Sequence, residues 1–153
     1  MASNPWFILG HAAEKQADGT IDLIGDSYRM VLVGTGYVPN QSTDAAWSAI
    51  SANEIAGTGY TANGKAVALS VSRTGLVITY DCPDQSWASS TLTNVAYAVI
   101  VRNALADGTL AATDIPVFVC ELEDAGSLST SNGTLAVTID AAGVYTRTLT
   151  AAV

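Results

Sequence analysis

The stretch Gly59-Tyr-Thr-Ala-Asn-Gly-Lys65 sets two glycines and a lysine at the spacing of a phosphate-binding loop. That chemistry needs backbone N–H groups around the phosphates, a Ser or Thr hydroxyl for Mg²⁺, and a following helix whose N-terminus faces the anion. Ala66 stands where the hydroxyl belongs, and Val67, Leu69 and Val71 then alternate with Ala66, Ala68 and Ser70 in the period of a strand. The glycines and Asn63 therefore read as turn formers, and no nucleotide is expected here.

Acid–base chemistry has little to draw on. His11 is the only histidine and has no nearby acid or nucleophile in sequence, whereas Ser-His-Asp catalysis needs an imidazole oriented by a buried carboxylate. A surface or interface position is expected for it. Carboxylates group twice, Asp81 with Asp84 and Glu121 with Glu123 and Asp124. A glycosidase would hold two of them across a sugar cleft, usually beside aromatic platforms. The second group supplies oxygens for a surface Ca²⁺, but without EF-hand spacing. Cys82 and Cys120 sit in or beside strand-like runs and read as small, buried, reduced thiols; a disulfide is open to them only if their strands are neighbours. No Cys-x-x-Cys or Cys/His grouping suggests zinc. Trp6, Trp47 and Trp87 would suit a sugar-binding face if they stood together, but on separate elements they read as core or interface anchors. A chain that is not an enzyme, with no catalytic residue, cofactor or metal, is the expectation.

The elements that would position these residues are strands. Tyr28, Met30 and Leu32 share one face of a run ending at Gly34; Leu135, Val137 and Ile139 alternate in the same way, and residues 76–80 are rich in β-branched side chains. Val95–Val101 and Pro116–Leu122 are apolar on both faces and read as central strands. Arg73-Thr-Gly75 suggests a hairpin, Ala142-Gly143 separates the last pair of strands, and Asn63-Gly64 and Asn132-Gly133 are favoured turn dipeptides. One short helix is predicted over Asp44–Ile50, capped by Thr43 or Asp44, with Trp47 and Ile50 inward. Arg102–Ala106 is a weaker helical candidate that reads better as a loop.

This pattern predicts one all-β domain, a β-sandwich or barrel-like module over residues 20–153 with jelly-roll topology open to it. An N-terminal arm over residues 1–19 and at most one or two short helices complete it. Within the arm, Trp6, Phe7, Ile8 and Leu9 are four consecutive large apolar residues that no single strand face can bury. They form either a first strand tucked into the chain's own core or an anchor crossing to a neighbour, and the second is expected.

Composition points outward as well. Charged residues make up 13% of the 153, against a usual ~25%, while 49% are hydrophobic. Part of the surface is therefore expected to be covered by neighbours rather than wetted. The net charge of −8 and six scattered basic residues argue against nucleic acid and against anionic membranes. The opening apolar run is too short for a secretory signal and lacks a basic flank, so synthesis in a cytosol is expected.

Asn53-Glu-Ile-Ala-Gly-Thr-Gly-Tyr-Thr-Ala-Asn-Gly-Lys65 resembles the signature of a family of small tailed-bacteriophage virion proteins, glutamate-apolar-small-Gly-Thr-Gly-Tyr-Thr-Ala-x-Gly-Lys. Other family marks are Ile21-Asp-Leu23 before the first long strand and Trp87 among Ser and Thr in 85–91. The alanine-tyrosine-alanine strand Val95–Val101 and the closing segments Gly133–Asp140 and Gly143–Leu149 extend the likeness over most of residues 20–149. Pro5–Gln16 is more aromatic than the family pattern. The resemblance implies a capsid decoration (cement) protein on the outer surface of the virion, with no catalytic residues. It would be a homo-oligomer, a trimer at threefold positions, bridging major capsid subunits. Two alternatives are a tail or head-fibre component and a carbohydrate-binding module for host attachment.

Overall fold

A computed structural model describes residues 5–123 and 126–151. In chain order the elements are β1 (Phe7–Ile8), α1 (Gly10–Ala17), β2 (Tyr28–Gly34), two 3₁₀ turns (Trp47–Ala49 and Ser51–Asn53), β3 (Lys65–Val67), β4 (Ser70–Thr74), β5 (Val77–Asp81), β6 (Gln85–Arg102), β7 (Pro116–Glu121), β8 (Leu128–Val137) and β9 (Tyr145–Thr148). They make the all-β domain expected, with two antiparallel sheets. A six-stranded sheet runs β1-β7-β6-β2-β3 with β8 also on β6, and a three-stranded sheet runs β4-β5-β9. The sheets meet where the Phe118 and Tyr145 rings lie 5.7 Å apart.

The two runs that read as apolar on both faces become the centre, together with β2, whose sequence reads as one-faced. Val31 and Val33 on β2, Val99 and Val101 on β6 and Val117 and Val119 on β7 are as fully buried as the residues alternating with them. Strand β6 is the spine, at 18 residues. Its C-terminal half pairs with β2 on one edge and β7 on the other, and its N-terminal half pairs with β8. Because Val95 is opposite both Gly34 and Leu128, β8 follows β7 along the same edge of β6.

Three expectations change. The helix over Asp44–Ile50 is absent; only a 3₁₀ turn at Trp47–Ala49 and another after it are formed. The Asp44 carboxylate does not cap a helix but accepts from the Tyr37 hydroxyl at 2.7 Å and the Asn40 N–H at 2.8 Å. The N–H groups of Trp47 and Ser48 are meanwhile bonded to the carbonyls of Asp114 and Ala112. Trp47 and Ile50 still face the core. Asn132-Gly133 is no hairpin turn. It lies inside β8, where the register against β6 is irregular and Asn132 has φ 50°. Positive φ at Asn serves a bulge as well as a turn. Finally, Ala142-Gly143 does not close a hairpin of the last two strands, since β8 goes to β6 and β9 to β5.

The α-helix lies instead near the N-terminus, at Gly10–Ala17, where Ala, Glu, Lys and Gln are all good helix formers. Just before it, Phe7 and Ile8 pair with Val119 and Phe118 of β7. Leu9 is 0% exposed within the chain's own core, and Ala12 packs beside it.

Candidate functional site

The signature segment resolves into a lock between β2, β3 and β6. One Glu54 oxygen accepts from the Tyr60 hydroxyl at 2.7 Å and from the Asn63 N–H at 2.6 Å. The same Tyr60 oxygen accepts the Leu32 N–H at 3.2 Å, tying the turn to β2. Burial, and next to it the Glu54 carboxylate, raises the Tyr60 phenol well above its ordinary pKa. Arg29 closes the other side by donating to the carbonyls of Asn63 at 2.5 Å and Gly64 at 2.6 Å. Gly64 has φ 61°, and a Cβ there would run into the Met30 carbonyl. Gly59, at φ 80°, leaves room for β6, since a Cβ would lie 2.8 Å from the Ser90 Cα.

Lys65, the lysine of the phosphate-loop spacing, donates to the Ser86 carbonyl and lies 5.3 Å from the Trp87 ring centre. It begins strand β3, so a strand and not a helix N-terminus follows the loop. The glycines turn the chain, as read from sequence, and the lysine clamps β3 onto β6. Sequence spacing alone did not reveal that Trp87 would receive it.

Asp81 and Asp84 bind backbone. Asp81 accepts the Cys82 N–H and Asp84 the Ile139 N–H, both at 2.8 Å. Burial first, then these two carboxylates, push the Cys82 thiol up to about 12. Cys120 is buried on β7, and the two thiols are not joined in a disulfide. Glu121 ends β7 opposite Tyr97, and its charge adds to burial in raising the Tyr97 phenol. Glu123 is exposed, and Asp124 lies outside the described residues. Among the described residues, no three His, Cys, Asp or Glu stand together as metal ligands. His11 gains a neighbour that its isolation in sequence did not suggest, because α1 brings Glu14 to 3.8 Å. That carboxylate is 68% exposed, unlike the buried orienting acid of a triad.

The tryptophans divide. Trp47 and Trp87 belong to the core, while Trp6 lines a groove of about 560 Å³ with Phe7, Ile8, Gln41, Asp140 and Tyr145. The four-residue apolar run thus splits between Leu9, spent on the core, and the three half-buried residues at the groove. The Trp6 Nε1 is buried without a hydrogen-bond partner among the described residues.

A second surface is the outer face and edge of β4-β5-β9. Every residue of β4 is exposed, and Val71 at 50% and Leu76 at 45% are among the largest exposed apolar side chains. These features define an all-β module in which Glu54, Tyr60, Asn63 and Lys65 of the signature hold its own turns and strands. Among known proteins, no family model, curated protein or solved structure matches the chain.

Proposed function

We propose that the chain is a structural protein of a tailed-phage virion, one that decorates the assembled capsid and stabilises it by bridging major capsid subunits. The supporting observation is the lock at 53–65. Glu54, Tyr60, Asn63 and Lys65, within the segment that carries the family resemblance, are engaged in fixing β2, β3 and β6, and what faces outward includes a hydroxyl-rich sheet and a groove of mixed polarity. Such a module acts by binding rather than by turnover. A partner that binds only the closed shell stabilises it by mass action, by about 2.7 kcal/mol per site when its concentration is a hundred times Kd. The acidic charge suits an outer surface, where it does not compete with capsid contacts to packaged DNA.

Cryo-electron microscopy of the virion, with titration of purified chain onto shells lacking it, tests this reading. Density repeated over the head and saturation at a fixed copy number per shell are expected. Density confined to tail or fibre overturns the capsid assignment.

A second reading, glycan attachment, is favoured by one feature. The groove sets Trp6 and Tyr145 beside Gln41 and Asp140, an aromatic surface with hydrogen-bonding groups at its rim. Saturable binding of a glycan, lost in Trp6→Ala, would move the function from the shell to the host surface.

A further inference from the structure

The geometry points to the β4 edge as a pairing site for a second copy of this chain, joined strand to strand about a two-fold axis. Open strand edges invite pairing, and soluble proteins blunt them with bulges, charges, prolines or covering segments. The other edges described here are blunted. Strand β1 has two residues, and Gln41 donates to its Ile8 carbonyl at 2.6 Å. Strand β3 has three residues and begins with Lys65. The long β8 is irregular at three places against β6, and the four-residue β9 carries Arg147. Strand β4 has no bulge, proline or covering segment among the described residues, and only one charge. Its five residues, Ser-Val-Ser-Arg-Thr, pair with β5 without a register shift, and it stands at the end of its sheet. The one charge it bears, Arg73, is turned back to donate to the Gly75 carbonyl of its own hairpin at 2.7 Å.

The backbone defines the register. Thr74 and Val77 flank the two-residue Gly75-Leu76 connection, so they form the closing hydrogen-bonded pair and Thr74, Ser72 and Ser70 point their N–H and C=O groups at β5. Val71 and Arg73 point theirs outward. An antiparallel copy centred on Ser72 sets Val71 against Arg73 of the other copy, and all four outward groups of each strand bond across the axis. Ser70 then falls opposite Thr74, and Ser72 opposite Ser72. Hydroxyl pairs of this kind are favourable across strands, and the Arg73 stem covers the Val71 methyls.

The self-complementary register selects a second copy as the occupant, and charge opposes it only weakly here. Strands β4, β5 and β9 hold Arg73, Arg147 and Asp81, a net of +1 in a chain whose total is −8. The rest of each chain carries a net of −9, so two copies repel less along this sheet than the whole charge suggests. The two-fold contact also differs from the threefold arrangement implied by the family resemblance, so particle mass separates the two.

Sedimentation of the full chain, without shells and over a wide concentration range, tests the pairing. A reversible particle of two chain masses is expected. Val71→Lys keeps the backbone and should raise the dimer Kd at least tenfold. Val71→Pro removes an outward N–H that β5 does not use, as edge strands tolerate, and should leave a monomer with unchanged circular dichroism; if it fails to fold, Val71→Lys decides. Leu76→Lys, at the hairpin tip beyond the paired residues, should leave the dimer intact. A monomer at every concentration, a particle of three chain masses, or a dimer indifferent to Val71→Lys overturns the proposal. Because shells take no part, this result and the shell-binding result stand or fall separately.

Discussion

Glu54 receives two hydrogen bonds on one oxygen, and one comes from a tyrosine whose own oxygen also holds a β2 amide. Removing the Tyr60 hydroxyl leaves the carboxylate short of one donor and the Leu32 N–H without its acceptor. Tyr60→Phe should therefore cost about 1–3 kcal/mol, read as a lower urea midpoint with unchanged slope. Lys65→Ala removes an exposed cation from the Trp87 face and should cost only about 0.5–1 kcal/mol. ATP binding in calorimetry that this substitution abolished would show instead that the loop holds phosphate. Four weak acids, buried Cys82, Tyr28 and Tyr37 and half-buried Tyr60, titrate the other way from carboxylates. Burial pushes Cys82 from 9.0 to about 12 and holds Tyr28, Tyr37 and Tyr60 above their ordinary 10.0. For each group the folded pKa exceeds the unfolded one, so its contribution is complete below the unfolded value and is lost as pH rises toward the folded one. Melting temperature should be level through neutral pH and fall from about pH 9 upward, where Cys82 begins to ionise in the unfolded chain. A melting temperature unchanged between pH 8 and 11, a range set about those ordinary pKa values, would contradict it.

At the scale of elements, β1 and α1 show most clearly how far a linear reading reaches. Leu9 is wholly buried while Trp6 is only partly covered, so Leu9→Ala should cost about 2–5 kcal/mol and Trp6→Ala distinctly less by thermal or urea unfolding. Equal losses would mean that Trp6 is also part of the core. The runs that became the C-terminal half of β6 and β7 were legible because strands covered on both faces leave an unbroken apolar record, β2 because Tyr28, Met30 and Leu32 alternate, and the Gly75 turn because its neighbours pair locally. Helix α1 was not, since eight residues give barely two turns and its inward contact is largely one alanine. The β6–β8 partnership was hidden too. Its bulges interrupt the period of two, and Ser90 is buried there by bonds to Thr130 Oγ1 and the Gly133 carbonyl rather than by an apolar side chain. Of the candidate site, turn chemistry at Asn63-Gly64 was visible, but the roles of Glu54 and Trp87 depend on partners brought together by folding.

Across the whole molecule, a charge of −8 on a surface poor in lysine makes every encounter between copies a balance of repulsion against pairing. Salt shortens that repulsion, from a screening length of about 10 Å at 0.1 M to about 3 Å at 1 M. Self-association should therefore tighten as salt is added, measurable in the same sedimentation experiment, whereas contacts built on opposite charges would loosen. The spine also has a mechanical consequence. Strand β6 runs for 18 residues, at most about 60 Å at some 3.3 Å per residue because Ser89 and Asn94, at φ 50° and 58°, bend it, and is bonded along one edge first by β8 and then by β7. Tension drawn along it from Gln85 to Arg102 would act parallel to the strands and load the cross-strand bonds together, in shear. Tension applied across it would open them one by one like a zip. The fold thus resists tension differently along that line and across it, and on the capsid reading proposed above the bearing of the line relative to the shell would decide whether the chain acts as a strap or as a latch.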